Sequence, residues 1–233
     1  MYSERASRLP DAVLWTNTLA GTGAGADRVL PDGCMDLLWH DGRLLVAGPD
    51  TRAHLTEDGM AGPWVGIRFH PGTAPALLGV PAHELRDRRP DLADLWPAAE
   101  VRRATARVNA AADPARGLED LALRRAAEAA APPDPMLRHV VAALDAGRPV
   151  AGTADELGIS PRQLYRRSLA AFGYGPKTLA RILRFRRALA LARGGTPYAE
   201  TAARTGYADQ AHLSREVRNL TGLPLGELLA SRG

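Results

Sequence analysis

The order of apolar and polar positions divides the chain into two unlike parts. Val65, Ile67 and Phe69 alternate with Gly66, Arg68 and His70, the period-two signature of a half-buried strand. Met35–Trp39 and Leu44–Ala47 are apolar runs separated by His40-Asp41-Gly42-Arg43, which predicts a β-hairpin. Turn residues (Gly, Pro, Asp) fill much of the rest of residues 1–80. From 81 to 131 the chain turns rich in Ala, Leu and Arg. Helices are predicted there at 100–112 and 114–130, with Val101, Val108, Leu118, Leu121 and Leu123 forming modest apolar stripes. These helices are expected to pack on the β-rich part or to form a dimer contact.

The segment Ala131-Pro132-Pro133-Asp134-Pro135 is the expected boundary, because proline lacks a backbone donor and restricts the residue before it. Beyond it everything reads as helix, near 135–146, 150–157, 161–172, 176–193, 197–205, 209–220 and 224–231. The separators (among them Gly147-Arg148-Pro149, Gly158-Ile159-Ser160 and Gly206-Tyr207-Ala208) each hold a glycine suited to a left-handed cap. The predicted fold class is α+β. A β-rich and then helical domain at 1–131 precedes an all-α domain at 134–233.

The helical part contains an internal repeat. Ala154, Leu157, Gly158, Ile159, Leu164, Arg166 and Gly173 recur as Ala202, Thr205, Gly206, Tyr207, Leu213, Arg215 and Gly222, with the second turn one residue longer. Each copy reads as helix, tight turn, helix. Ala154 and Ala202 are small where two helices cross, Gly158 and Gly206 permit positive φ, and Leu164 and Leu213 anchor the second helix from its buried side. The opposite face then offers Arg162, Gln163, Tyr165 and Arg166 in the first copy and Gln210, Ser214 and Arg215 in the second. Side chains of these types hydrogen-bond base edges or phosphates from within a major groove.

Charge sharpens this reading. Residues 134–233 carry 15 basic and 8 acidic side chains, a net +7, whereas residues 1–133 carry 15 and 18, a net −3. The basic half is the one with the repeat, which points to nucleic acid. The lone Cys34 excludes an intramolecular disulfide framework, a CxxC pair and a multi-cysteine zinc site. The chain lacks an apolar run of membrane-spanning length, and its first residues lack a signal-peptide core, so a soluble, cytoplasmic protein is expected. It also lacks a Ser/His/Asp set, a phosphate loop and a dinucleotide fingerprint, so neither an enzyme nor a cofactor is predicted.

The stretch from about 137 to 229 resembles the DNA-binding domain of AraC-type bacterial transcription regulators. The resemblance rests on Thr153-Ala154, Leu157-Gly158-Ile159-Ser160-Pro161-Arg162-Gln163-Leu164-Tyr165-Arg166, Phe172-Gly173-Tyr174-Gly175-Pro176, Arg184, Arg187-Ala188, Leu191-Ala192, Ala202-Ala203 and Gly206-Tyr207-Ala208-Asp209-Gln210-Ala211-His212-Leu213-Ser214-Arg215. It implies two helix-turn-helix units bridged by the 176–193 helix, with both recognition helices entering successive major grooves of double-stranded DNA. By motif position, base reading falls to Arg162, Tyr165, Arg166, Gln210, Ser214 and Arg215, and Gln163 joins them as a DNA-contacting residue. Arg181, Arg184 and Arg218 fall to phosphate contact or to capping local structure. Leu169 and Val217 stand where the family usually has aromatics, Arg167 where it often has an apolar residue, and Pro224 comes one place early. These departures bear on the packing and angle of the second recognition helix, not on the contact residues.

Such regulators commonly carry a variable sensor or dimerisation domain. The stretches 30–39, 46–49 and 66–72 look like one poorly characterised type, which supplies position but no ligand. The resemblance leaves three partners open besides DNA: a small-molecule effector, a second copy of the chain and RNA polymerase. Trp39, Trp64, Arg68 and His70 are the candidate ligand residues, with Arg68 suited to grip an anion. Arg68 and His70 on a solvated strand face is the bland alternative. Cys34 raises a competing reading, a DNA-directed alkyl-transfer enzyme or a thiol sensor, but Asp32 and Asp36 beside it would raise its pKa. His40, His54, His70 and His83 lack the close-spaced pair of a metal site, so no metal is predicted.

Overall fold

The computed structural model describes residues 2–19, 28–56, 62–129 and 132–230. Seven strands come first among the described residues: β1 (Tyr2–Ala6), β2 (Ala12–Leu19), β3 (Arg28–Val29), β4 (Met35–His40), β5 (Arg43–Ala47), β6 (His54–Leu55) and β7 (Gly62–Phe69). Five of them form one antiparallel sheet in the order β1-β2-β7-β4-β5, and β3 pairs with β6. The expected hairpin is β4–β5. Its two turn residues, Asp41 and Gly42, have φ of 46° and 75°, the left-handed pair that a two-residue hairpin needs.

Alternation decides which face each strand residue takes. Leu14 and Leu37 both lie opposite Ile67, and these three bury on one face with Val46, Val65 and Phe69. Three helices cover that face: α1 (Ala74–Leu78), α2 (Ala98–Asn109) and α3 (Pro114–Glu128). Asp113 starts α3 by accepting the Ala115 N–H, with Pro114 in the first turn. Gly117 lets α3 approach α2, since a Cβ there would sit 3.0 Å from the Cα of Val108. The helices at 81–131 therefore serve the core. The short α1 lies in the segment read as β-rich, and β1 and β2 carry too weak an alternation to be read from the sequence.

Seven helices follow among the described residues: α4 (Pro135–Asp145), α5 (Val150–Glu156), α6 (Pro161–Phe172), α7 (Pro176–Arg193), α8 (Tyr198–Thr205), α9 (Gln210–Thr221) and α10 (Leu225–Ala230). They build two separate cores joined by α7. Leu179, Ile182 and Leu183 of α7 bury with Leu144, Leu164 and Phe172. Phe185, Ala188 and Leu189, further along the same helix, bury with Leu213, Val217 and Leu220. An 18-residue helix is about 27 Å long, so α7 sets the separation of the two units.

The sheet domain sits against both units. Gly72 leaves room for Phe172, Gly33 for Leu179, and Gly173 for Pro49, which a Cβ would approach to 2.5 Å. Arg86 donates to the Gly173 carbonyl at 3.3 Å, Arg186 to that of Asp32 at 3.3 Å, and Arg138 pairs with Asp11 at 2.7 Å.

Candidate nucleic-acid interface

The two helix-turn-helix units are built alike. In the first, Ala154 is fully buried at the helix crossing, Gly158 turns with φ 62°, and the Ile159 N–H bonds the Ala154 carbonyl at 3.1 Å. In the second, Ala202 is fully buried, Gly206 has φ 77°, and the Tyr207 N–H bonds the Ala202 carbonyl at 2.9 Å. Each second helix has its own cap. Ser160 Oγ accepts the Gln163 N–H while Gln163 Oε1 accepts the Ser160 N–H at 2.8 Å, a capping box. Asp209 accepts the His212 N–H at 2.6 Å, and His212 Nδ1 accepts the Ala208 N–H at 3.3 Å. His212 also meets Tyr207 edge-on, so it holds the turn.

Leu164 and Leu213 point inward, as expected of the anchors. On the outer faces, Arg162, Gln163, Tyr165 and Arg166 of α6 are exposed, as are Gln210, Arg215 and Arg218 of α9, with Ser214 half-buried between them. Tyr165 lies against Gly175, where a Cβ would come within 2.6 Å of its ring, and remains 52% exposed. Gln163 spends its carbonyl oxygen on the capping box, leaving its amide hydrogens for an outside partner.

Most arginines of this half divide by their partners. Arg138, Arg148, Arg167, Arg181, Arg187 and Arg204 are all in ion pairs. Arg181 binds Glu216 and so ties α7 to α9, while Arg184 lies 4.4 Å above the ring of Tyr207. Both cap local structure. Arg162, Arg166, Arg215 and Arg218 are in no ion pair and no side-chain hydrogen bond among the described residues. All four project from the outer faces of α6 and α9. Sequence reasoning named these four; it did not find the Arg181–Glu216 tie, because a contact 35 residues apart leaves no local pattern.

The candidate ligand residues are not brought together. Trp39 lies opposite Val65 and faces the helices, donating its indole N–H to Asn109 Oδ1 at 2.7 Å. Trp64 takes the other face and stacks on His40, with ring centroids 4.0 Å apart. Arg68 shares that face but sits between Asp32 and Asp36, at 3.5 and 3.4 Å. His70 is exposed beyond the end of β7. Strand alternation separates Trp39 from the rest, and the pocket drawn from these four residues is withdrawn.

Asp36 also accepts the Trp15 indole N–H at 2.6 Å. Burial pushes its carboxyl up to about 6 against the pull of Arg68. Burial also pushes the Cys34 thiol well up, with Asp32 and Asp36 adding to it, so the sulfur is protonated at neutral pH. Among the described residues, no three His, Cys, Asp or Glu side chains group closely enough to hold a metal ion. No helix among them is long and apolar enough to cross a membrane.

Two helix-turn-helix units on one shared helix, with unpaired arginines on both second helices, define a DNA-binding transcription regulator. Residues 153–231 match the family described as a helix-turn-helix domain, and residues 12–91 match a domain of unknown function, DUF6597. Among solved structures, ToxT from Vibrio cholerae shares the fold across both domains. It aligns with a TM-score of 0.50 and 10% identity over 94% of this chain and 97% of that one. A ToxT structure bound to (E)-4-(8-methylnaphthalen-1-yl)but-3-enoic acid gives the same TM-score and identity over 98% of each chain. A probable AraC family transcriptional regulator from Rhodopseudomonas palustris is 24% identical over 42% of this chain and 97% of its own, with a TM-score of 0.37. No curated protein matches the chain.

Proposed function

We propose that the protein reads two successive major grooves of a DNA duplex with α6 and α9. Base edges are read by Arg162, Tyr165, Arg166, Gln210, Ser214 and Arg215, with Gln163 adding its amide hydrogens. Arg218 neutralises phosphate. The observation that carries this reading is the pairing pattern. Arg138, Arg148, Arg181, Arg187 and Arg204 meet carboxylates, while Arg162, Arg166, Arg215 and Arg218, on the outer faces of both recognition helices, have no ion pair among the described residues. Unmatched guanidinium forks are what phosphate and guanine edges require.

The test is selection of bound duplexes from a randomised DNA pool by the full-length protein near physiological salt. Enrichment of two readable blocks about one helical turn apart supports the reading. Retained binding without any enrichment overturns it in favour of sequence-blind DNA packaging.

The sheet domain is the regulatory part in this proposal, modulated by a small molecule. The likeness in fold to ToxT, whose structure holds a bound carboxylic acid, supports that role. The protein works in the cytoplasm, where the DNA is, and performs no catalysis. A half-buried, protonated Cys34 does not suit alkyl transfer or thiol sensing. Self-association and contact with RNA polymerase complete the proposal. Sedimentation equilibrium showing monomer at micromolar concentration, with and without DNA, removes the homodimer.

A further inference from the structure

Between α2 and α3 lies a groove of about 420 Å³, on the part of the chain whose net charge is negative. Its floor is apolar, made by Trp96, Ala104 and Leu121, which are almost fully buried. Its walls are guanidinium groups. Arg125 lies over the Trp96 ring at 4.3 Å and is held by Glu100 at 2.8 Å and by the Leu77 carbonyl at 3.3 Å. The Trp96 indole N–H is spent on the Leu78 carbonyl, so the one polar atom of the floor is satisfied.

The other three wall arginines differ. Arg103, Arg107 and Arg124 line the same groove and have no ion pair or side-chain hydrogen bond among the described residues. Arg103 and Arg107 are one turn apart on α2, a like-charge spacing that disfavours the helix unless something neutralises it. Two carboxylates, Glu100 and Glu128, also line the groove. Glu100 is bound to Arg125, and Glu128 lies 3.8 Å from the same guanidinium. Four arginines against two glutamates leave a surplus of two positive charges in a concave space of the size that small ligands occupy.

From this we infer that the α2–α3 groove binds a small multivalent anion, a phosphorylated or polycarboxylate compound, through Arg103, Arg107 and Arg124. Planar guanidinium forks pair in bidentate fashion with carboxylate and phosphate oxygens, and three unpaired forks suit a ligand with at least two anionic groups. A domain that is otherwise acidic would not steer DNA to this place, which favours a small ligand over a phosphate backbone. This inference goes beyond the DNA reading and does not depend on it.

The test is calorimetric titration of the full-length protein, without DNA, with inorganic pyrophosphate and separately with citrate. Ionic strength is held constant and sodium chloride is the control. Saturable binding of one or both at one site per chain is expected, and which of them binds tells phosphate from carboxylate recognition. The Arg103→Gln/Arg107→Gln double variant changes two exposed, unpaired residues and is expected to lose about tenfold or more in affinity. Arg102→Gln, next door but outside the groove, is expected to bind as the parent does. No saturable binding of either anion, or equal binding by the double variant, overturns the inference. So does a double variant that loses DNA affinity while the parent binds neither anion, since the groove would then serve the DNA backbone.

Discussion

The backbone N–H of Ala53, in the sheet domain, bonds the carbonyl of Leu220 at the end of α9 at 2.7 Å. Arg28 reaches the neighbouring carbonyl of Thr221 at 3.2 Å. The last carbonyls of a helix lack partners within it, so the sheet domain here completes the C-terminal cap of the second recognition helix. Arg86, bonding Gly173 just past the end of α6, does the same for the first. The sheet domain thus holds the tails of both second helices. Arg28→Ala is expected to cost about 1 kcal/mol. Hydrogen exchange should quicken in the last turn of α9 and not in α6; unchanged exchange in α9 would remove the capping role.

Arg166 and Arg215 occupy equivalent, unpaired places in the two copies. Changing either to Ala is expected to weaken binding to the selected site by about 1–3 kcal/mol and to relax preference in its own block only. Competition titrations with the selected site and a scrambled duplex measure this. An unchanged ratio of the two affinities would reassign that arginine to phosphate.

Glu216 is 12% exposed and carries the tie from α9 to Arg181 on α7. Glu216→Gln weakens a charge-assisted contact and is expected to cost about 1–2 kcal/mol of stability. Because the tie sets the seating of α9, the block of the selected site read by α9 should lose definition while the block read by α6 is kept. Equal loss in both blocks would mean a general loss of folding.

Glu119 is 1% exposed on α3 and accepts bonds from Arg5, Ser7 and the main and side chains of Arg8. Burial pushes its carboxyl up, and these bonds more than reverse that, holding it at about 2, below its usual 4.5. A depressed pKa means that the folded state binds the proton less well. Its contribution is complete above pH 4.5 and is lost as pH falls through about 2. Glu119→Gln is expected to lower stability by about 2–3 kcal/mol at pH 7. Denaturation followed across pH should show the two proteins converging toward pH 2, and a constant gap would contradict the assignment.

Two glycines separate backbone freedom from space. Gly206 turns with φ 77°, and a Cβ added there would meet nothing within 4 Å, so Gly206→Ala carries only the conformational penalty, about 1 kcal/mol. Gly66 lies under Trp15, whose ring a Cβ would meet at 2.3 Å. Gly66→Ala must displace the indole and its bond to Asp36, and is expected to cost about 3 kcal/mol or more. Thermal melts of the two variants rank them; a milder effect at Gly66 would show that Trp15 moves freely.

The helical half was readable nearly residue by residue because its signals are local. Ser160, Asp209 and the glycines at 158, 173, 206 and 222 mark starts and stops within a turn of where they act, and the repeat pairs Leu164 with Leu213. The hairpin at Asp41-Gly42 was readable for the same reason. Strand β1 was not, since all five of its residues are exposed and the burial pattern that betrays a strand is missing. The ligand residues were misgrouped because alternation fixes faces only within one strand, and the register between strands is set by pairing: Trp39 lies opposite Val65, which puts it and Arg68 on opposite sides of the sheet.

Sequence alone determined that this protein carries two helix-turn-helix units and which side chains they present outward, because helix period, caps and turns are properties of a few consecutive residues. Tertiary structure alone decided which arginines are free and which are spent, as with Arg181 on Glu216, Arg68 between two aspartates, and Arg103, Arg107 and Arg124 left open around one groove. A charge is paired or unpaired only once distant segments have met, and no window of the chain contains both partners.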